Sequence, residues 1–475
     1  MHEIWVIGGG LAGSEAVWQI AEHGGRARLF EMRPGVPTPA HQTSGLGELV
    51  CSNSFKSDID GSAPHQLKWE LRQCGSLLIS IADQTRVPAG AALAVDRERF
   101  SARITEKLEQ HPRIVVERRE ISEIADTQTA VIATGPLTSP ALAAYIREIT
   151  AENALYFYDA ISPIVEADSI DWDQVFCLSR YGKRVSGQGP QKADMAAVSP
   201  KQSQRAPTAR TRSSEDAVAS TEDGDYVNCP MSCEQYLRFY QALIHAESVP
   251  IKEFEKSMYF EACLPIEELA RRGVDTLRFG PMRPVGLRDP RSGQIPYAVV
   301  QLRQENLLAD AFNLVGFQNH LKYGEQQRIF RLIPGLENAE FIRLGQIHRN
   351  TFINAPRLLT RSLQLKKRPH IYFAGQICGV EGYVESIAAG LVAGWNALRS
   401  LAGKGPLDFP RCSAIGSLLH YISEADPENF QPMNINFGLL PAAPMRGTRE
   451  TRRARQIQAA REAMLNFLQL LERAV

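Results

Sequence analysis

Hydrophobic positions along this chain come in short unbroken runs separated by helix-like stretches. Ile4-Trp5-Val6-Ile7 is an apolar strand that runs into Gly8-Gly9-Gly10-Leu11-Ala12-Gly13 and then a small-residue helix. Ala27-Arg28-Leu29-Phe30 and Ile114 to Val116 read as further strands, and Asp96 to Gln110 has helical composition. Ala130 to Thr134 is a strand that ends in Gly135. After a clear helix predicted over Pro230 to Ala246, the rhythm returns late in the chain. Ile371-Tyr372-Phe373-Ala374-Gly375 is again a buried-type strand closed by glycine, and Glu381 to Arg399 is a helix rich in Ala and Gly. A last helix, Thr448 to Arg473, carries Ile457, Met464, Leu468 and Leu471 on one stripe. Alternating strands and helices predict an α/β protein with a parallel sheet. The late strand and helix predict a chain that leaves this sheet and comes back to finish it.

The first strand, glycines and helix carry chemistry. Gly8 permits a tight turn, Gly10 lets the backbone approach a pyrophosphate, and Gly13 lets helix and strand pack closely. The anion then meets free N–H groups at a helix N-terminus. Glu31 ends the next strand at the distance where an acid binds a ribose hydroxyl and repels a 2′-phosphate, leaving FAD or NAD. Gly9, Leu11 and Ala12 complete the cradle. Gly135 and Gly375 suit close approach to the same dinucleotide. A single fingerprint with a returning strand and helix favours FAD, with Glu381 near its far end.

Composition narrows the picture. No apolar run reaches the ~20 residues of a membrane helix, and the N-terminus enters a strand at once rather than a signal peptide, so a cytoplasmic protein is expected. The formal net charge is zero, so an RNA-binding surface has to be a local patch. Eight scattered cysteines argue for free thiols, and no spacing suggests a zinc site or other metal. Residues 184–222 hold almost no large apolar side chain and read as a disordered insertion. Arg449, Arg452, Arg453 and Arg455 crowd the start of the last helix, where positive charge opposes the helix dipole. Either a binding surface or a solvated, salt-bridged face accounts for them.

Two thiols have a chemical setting. Cys229 precedes Pro230, which suits a first helical position; an N-cap thiol there is helped toward thiolate by the dipole. A nucleophile, a redox partner for Cys233 and a buried small hydrophobe all remain open. Cys51 follows a loop of glycines and small polar residues that can approach a flavin, with Lys56 close enough in sequence to help ionise it. An inert buried thiol is the competing reading.

The motifs together resemble the folate- and flavin-dependent tRNA (uracil-5-)-methyltransferases, the TrmFO family. The matching stretches are GGGLAGSEA at 8–16, ELVCSNSFKS at 48–57, ATGPLTS at 133–139, SRYGK at 179–183 and NCPM at 228–231. FEACLPIEELARRG at 260–273, FGPMRPVGL at 279–287, LVGFQNHLKYGEQ at 314–326 and HRNTFIN at 348–354 follow. FAGQICGVEGYVES at 373–386 and FQPMNINFGLLP at 430–441 complete the series. The larger tRNA wobble-uridine flavoproteins share the first fingerprint but not this series. One departure is the stretch between SRYGK and NCPM, a short link in the family and a long insertion here.

The resemblance implies a Rossmann-like, glutathione-reductase-like FAD-binding domain (1–173 and 332–475) with an inserted smaller α+β domain (174–331) and a C-terminal helix. It implies that 5,10-methylenetetrahydrofolate and FAD methylate C5 of uridine 54 in the tRNA T-loop, giving ribothymidine. A thiolate adds at C6, the one-carbon unit reaches C5, a base takes the C5 proton, and reduced FAD supplies hydride. NADH or NADPH re-reduces the flavin. Cys229 is expected as the nucleophile and Cys51 as the base, with the reverse assignment open. His348, Arg283 and Asn354 are candidates for the folate site or for capping and interdomain roles. The tail arginines are candidate RNA phosphate contacts. The same chemistry on a ribosomal RNA uridine, an FAD-dependent NAD(P)H oxidoreductase for a small molecule, and a dinucleotide-binding scaffold without turnover are the alternatives.

Overall fold

The computed structural model of the chain describes residues 3–152, 155–160, 162–182, 224–249, 264–345, 347–442 and 448–473, without the side chains of 155–160, 347–349 and 472–473. The expected insertion at 184–222 lies outside these residues.

A five-stranded parallel sheet forms the first layer, in the order Ile371–Phe373, Ala130–Ile132, Ile4–Ile7, Ala27–Phe30, Ile114–Glu117. The inner strands Ala130–Ile132 and Ile4–Ile7 are apolar on both faces, as suits a sheet with helices on both sides. Register is set by Trp5 opposite Ala130 and Ile4 opposite Ala27. The late strand pairs with Ala130–Ile132, so the chain does return to this sheet. Helices Leu11–Glu22 and Tyr383–Leu401 pack face to face at very short range. A Cβ on Gly390 would lie 2.2 Å from the Ala12 carbonyl oxygen, which explains the small residues in both helices.

A six-stranded antiparallel sheet forms the second unit, in the order Phe176–Cys177, Tyr226–Met231, Ala298–Gln304, Ala311–Leu314, Ile164–Glu166, Phe341–Arg343. One face buries Val227, Cys229 and Met231 in a core with Tyr236, Phe239 and Leu243 of the helix Cys233–Ile244. The sheet takes in strands at 164–166 and 341–343, outside the boundaries of 174 and 331 read from the sequence. Three-residue strands carry too little alternation to be seen there. The two units are joined by the antiparallel pair Leu155–Ala160 and Ile347–Phe352. Across their contact, Arg97 pairs with Glu305 at 2.9 Å and the Asn53 amide donates to the Gln304 carbonyl at 2.9 Å.

The terminal helix, Arg449–Arg473, buries Ile457 and Met464 and rests Leu468 and Leu471 against the first core. Among the described residues no helix is long and apolar enough to cross a membrane.

Candidate functional site

The glycine turn builds a cleft at the end of the parallel sheet. Gly8 has φ +104°, closed to ordinary side chains, and turns the chain out of its strand. A Cβ on Gly13 would sit 1.8 Å from the Gly8 carbonyl oxygen, so only glycine lets the helix start this close. A Cβ on Gly10 would instead meet nothing within 4 Å. That open space is the cleft itself, lined by Gly8, Gly9, Gly10, Leu11 and Ala12. No side chain caps the helix, so its first N–H groups are left for an anion. Gly135 and Gly375 line the same cleft, and Gly375 lies against Ala12. The cleft encloses about 990 Å³ including its open mouth. Its shape and free donors fit a dinucleotide.

Glu31 lies at the cleft wall and is almost fully buried. It accepts the Gly9 N–H at 2.9 Å and three hydrogen bonds from Arg33, from the backbone N–H and Nε at 3.0 Å and from Nη2 at 3.2 Å. Burial works against the charge, but these donors outweigh it and hold the carboxyl below its ordinary value. All four lone-pair sites are thereby engaged, so a ribose hydroxyl has to exchange with an Arg33 donor.

A second cavity adjoins the cleft and shares Val50, Pro136, Leu137, Gln376, Tyr383 and Ser386 with it. Cys51 and Glu381 line this cavity, with Lys56 and Asn434 beside them and Gln318 reaching in from the antiparallel unit. Cys51 is half-buried, and its loop is pinned from several sides. The Tyr383 hydroxyl accepts the N–H groups of Cys51 and Ser52, and Arg97 donates to the Leu49 carbonyl. The guanidiniums of Arg97, Arg303 and Arg343 interact electrostatically with the Cys51 sulfur.

Two carboxylates engage Lys56 beside this thiol. Its ammonium lies 3.2 Å from Glu385 and 3.5 Å from Glu381. Burial opposes its charge, but the two carboxylates dominate and push its pKa up. The residue sits at φ +63° in a bulge of the strand Ser54–Ser57. Lys68, fully buried, donates to the carbonyls on either side of it, Phe55 at 2.9 Å and Ser57 at 2.7 Å.

The expected N-cap position of Cys229 is not what forms. Cys229 lies within the strand Tyr226–Met231, paired with Val300 and fully buried. Burial pushes its thiol far above the ordinary value. The helix begins at Cys233 rather than Pro230. Ser232 is its N-cap, with a reciprocal Gln235 bond completing a capping box. Pro230 is accommodated because the outer strand Phe176–Cys177 pairs only with Val227 and Asn228 and ends before it. Cys233 is exposed at the helix start.

The structure does not gather the other candidates at the two cavities. Arg283 is exposed in the second unit. Asn354 is buried and donates to the Pro427 carbonyl at 2.9 Å. Neither lines either of these two cavities. The side chain of His348 lies outside the described residues; Asn350, two positions on, does line the second cavity. Arg449, Arg452 and Arg455 are exposed, while Arg453 stacks over Phe437 at 4.6 Å. Among the described residues no group of three or more His, Cys, Asp or Glu is placed to hold a metal. Sequence reasoning missed Tyr383, Asn434 and the three arginines around Cys51.

Fold and cleft define a dinucleotide-binding protein of the Rossmann class. The family described as Glucose inhibited division protein A matches residues 3–217 and 208–405. The crystal structure of Aquifex aeolicus GidA (form II) superposes with TM-score 0.64 at 17% identity, over 99% of this chain and 76% of that one. Among curated relatives, the Methylenetetrahydrofolate--tRNA-(uracil-5-)-methyltransferase TrmFO of Koribacter versatilis is 55% identical over 92% of this chain and 90% of its own. The TrmFO of Natranaerobius thermophilus is 50% identical over 98% of both chains. The chain belongs to the TrmFO family.

Proposed function

We propose that this protein is a 5,10-methylenetetrahydrofolate- and FAD-dependent methyltransferase that converts uridine 54 of the tRNA T-loop to ribothymidine in the cytoplasm, with NADH or NADPH as reductant. The printed activity of its relatives supports this reading. The observation that carries it is the placement of Cys51 in a cavity continuous with the dinucleotide cleft.

Gly10, Ala12 and the uncapped helix start hold the pyrophosphate of FAD, and Gly135 and Gly375 let the coenzyme lie close to the sheet ends. When bound, FAD supplies the hydride that completes the methyl group. Cys51 is the nucleophile: its Sγ bonds to uracil C6, and the electron pair of the C5–C6 double bond moves to C5, which becomes reactive toward the folate-derived carbon. Arg97, Arg303 and Arg343 stabilise the thiolate, and Tyr383 fixes the loop that presents it. This moves the nucleophile's role from Cys229 to Cys51, because Cys229 is sealed in a sheet core and has lost its N-cap activation.

An RNA hairpin carrying 5-fluorouridine tests the reading, since fluorine cannot be removed as a proton and the C6 adduct persists. A covalent complex is expected with the native protein and with Cys229→Ala, and none with Cys51→Ala. Persistence of the complex in Cys51→Ala would overturn the assignment.

A further inference from the structure

We propose that the loop from Phe279 to Gly286, with Arg180 and Tyr181 beside it, is the face on which the RNA substrate seats. Phe279 stacks on an unstacked base, and Arg180 and Arg283 hold the phosphates that flank it. The inference rests on the methyltransferase reading for its RNA partner and needs no assignment of the reacting thiol.

Phe279 is 79% exposed, more than any other large apolar side chain among the described residues. It ends the short helix Thr276–Phe279, while its neighbours Leu277 and Met282 are fully buried in the core of the second unit. The Met282 N–H donates to the Leu277 carbonyl at 2.8 Å, and the Val299 N–H donates to the Met282 carbonyl at 3.0 Å. Both flanks of Phe279 are thus pinned to the antiparallel unit, and the ring between them stands in water. It forgoes the burial that its neighbours gain, and a planar base laid on it would restore that burial. Val285 and Tyr181 are exposed alongside it. The Tyr181 N–H donates to the Gly286 carbonyl at 3.0 Å, and a Cβ on Gly286 would lie 2.8 Å from the Tyr181 ring, so the two segments form one surface.

The charge of this face is positive and uncompensated. Arg180 donates from Nη1 to the Val285 carbonyl at 3.0 Å and from Nε to the Gln301 side chain at 2.9 Å. Arg283 is exposed. Neither pairs with a carboxylate of the described residues, whereas Arg278 and Arg291 in the same unit are committed to Asp275 and Asp289, each at 2.8 Å. Burial and the charge of Arg283 pull the Arg180 pKa down, a strain that an anion between the two guanidiniums relieves. A chain of zero formal charge needs such a local patch to hold RNA. Unpaired RNA is gripped in this way, by bases stacked on aromatic rings and phosphates held by cations.

The face adjoins the cavity that holds Cys51. A Cβ on Gly316 would lie 2.7 Å from the Pro281 side chain, and Gln318, two residues further on, lines that cavity. RNA seated here lies next to the cavity rather than on a remote surface.

Filter binding of an unmodified tRNA transcript to the full-length, FAD-loaded protein tests this across a salt series, with the KM for methylenetetrahydrofolate measured alongside. Phe279→Ala is expected to weaken tRNA binding about tenfold with an unchanged salt slope, because stacking releases no counterions, and Phe279→Trp is expected to restore it. Arg283→Gln is expected to reduce the salt slope by about one unit, with FAD content native in every variant. An affinity within about twofold of native in Phe279→Ala, or an unchanged slope in Arg283→Gln, would overturn the proposal. A raised KM for methylenetetrahydrofolate with tRNA affinity intact in Arg283→Gln would also overturn it, giving that guanidinium to the folate carboxylates. Loss of FAD in any variant would overturn it in favour of a structural role. A native protein that binds no tRNA would overturn both readings. One that binds tRNA and shows these losses but makes no ribothymidine would strike the methyltransferase reading alone.

Discussion

Tyr383 clasps the Cys51 loop from the far end of the chain: its hydroxyl oxygen accepts the backbone N–H of Cys51 at 2.9 Å and of Ser52 at 3.1 Å. The same side chain lines both cavities, so one residue ties the Cys51 loop to the helix beside the dinucleotide cleft. Tyr383→Phe keeps the ring and removes the acceptor, leaving two N–H groups without a partner at about 1–3 kcal/mol each before water compensates. The 5-fluorouridine adduct is expected to form about tenfold more slowly, equivalent to about 1.4 kcal/mol. An unchanged adduct rate together with an unchanged denaturation midpoint would show that the clasp does nothing.

Gly10 faces the open space where a pyrophosphate would lie, and its Cβ position touches no protein atom. Gly10→Val is therefore expected to fold with a native-like denaturation midpoint and to purify without FAD. Yellow, fully loaded protein from this variant would contradict the assignment of the cleft.

Much of the first unit is legible because its constraints are local. Gly8, Gly10 and Gly13 act within one turn of chain, and Glu31 closes on Gly9 across a single strand–helix–strand step. Cys229 was misplaced because Pro230 fits both a helix start and the unpaired flank of a strand. Two signals in the sequence favoured the strand: the alternation of Val227, Cys229 and Met231, and Ser232 followed three residues later by Gln235 as a capping box. Tyr383 could not be read in this way. Its partner lies 332 residues away, and no spacing rule marks such a contact.

The tail arginines offer a test separable from the chemistry. Arg452 and Arg455 are exposed and have no ion pair within the described residues. As phosphate contacts they position RNA without reading sequence. Arg452→Glu combined with Arg455→Glu is expected to weaken tRNA binding and to flatten its salt dependence by about one unit of slope per lost contact, with FAD content unchanged. Equal affinity and slope in a filter-binding titration would return these residues to a solvated face.

Asp58, buried at the end of the strand that carries Lys56, gives a prediction about acid. Burial by itself would raise its pKa. The hydrogen bond from His65 and the charges of Arg72, Lys68 and Arg86 outweigh burial and hold the carboxyl far below the usual carboxylate range. A depressed folded-state pKa means that the ionised form stabilises the fold at every pH above the unfolded value of about 3.9. That contribution drains away as the pH falls below this value toward the folded-state pKa. Asp58→Asn cannot titrate and leaves the cations facing an amide. It is expected to lower stability by about 2–3 kcal/mol at pH 7, less than for a fully buried pair because Arg72 and Arg86 are partly solvated. The gap between native and variant denaturation midpoints is then expected to narrow as the pH is lowered below 4. A gap that stays constant from pH 7 to pH 3 would mean that the Asp58 charge does not hold this strand in place.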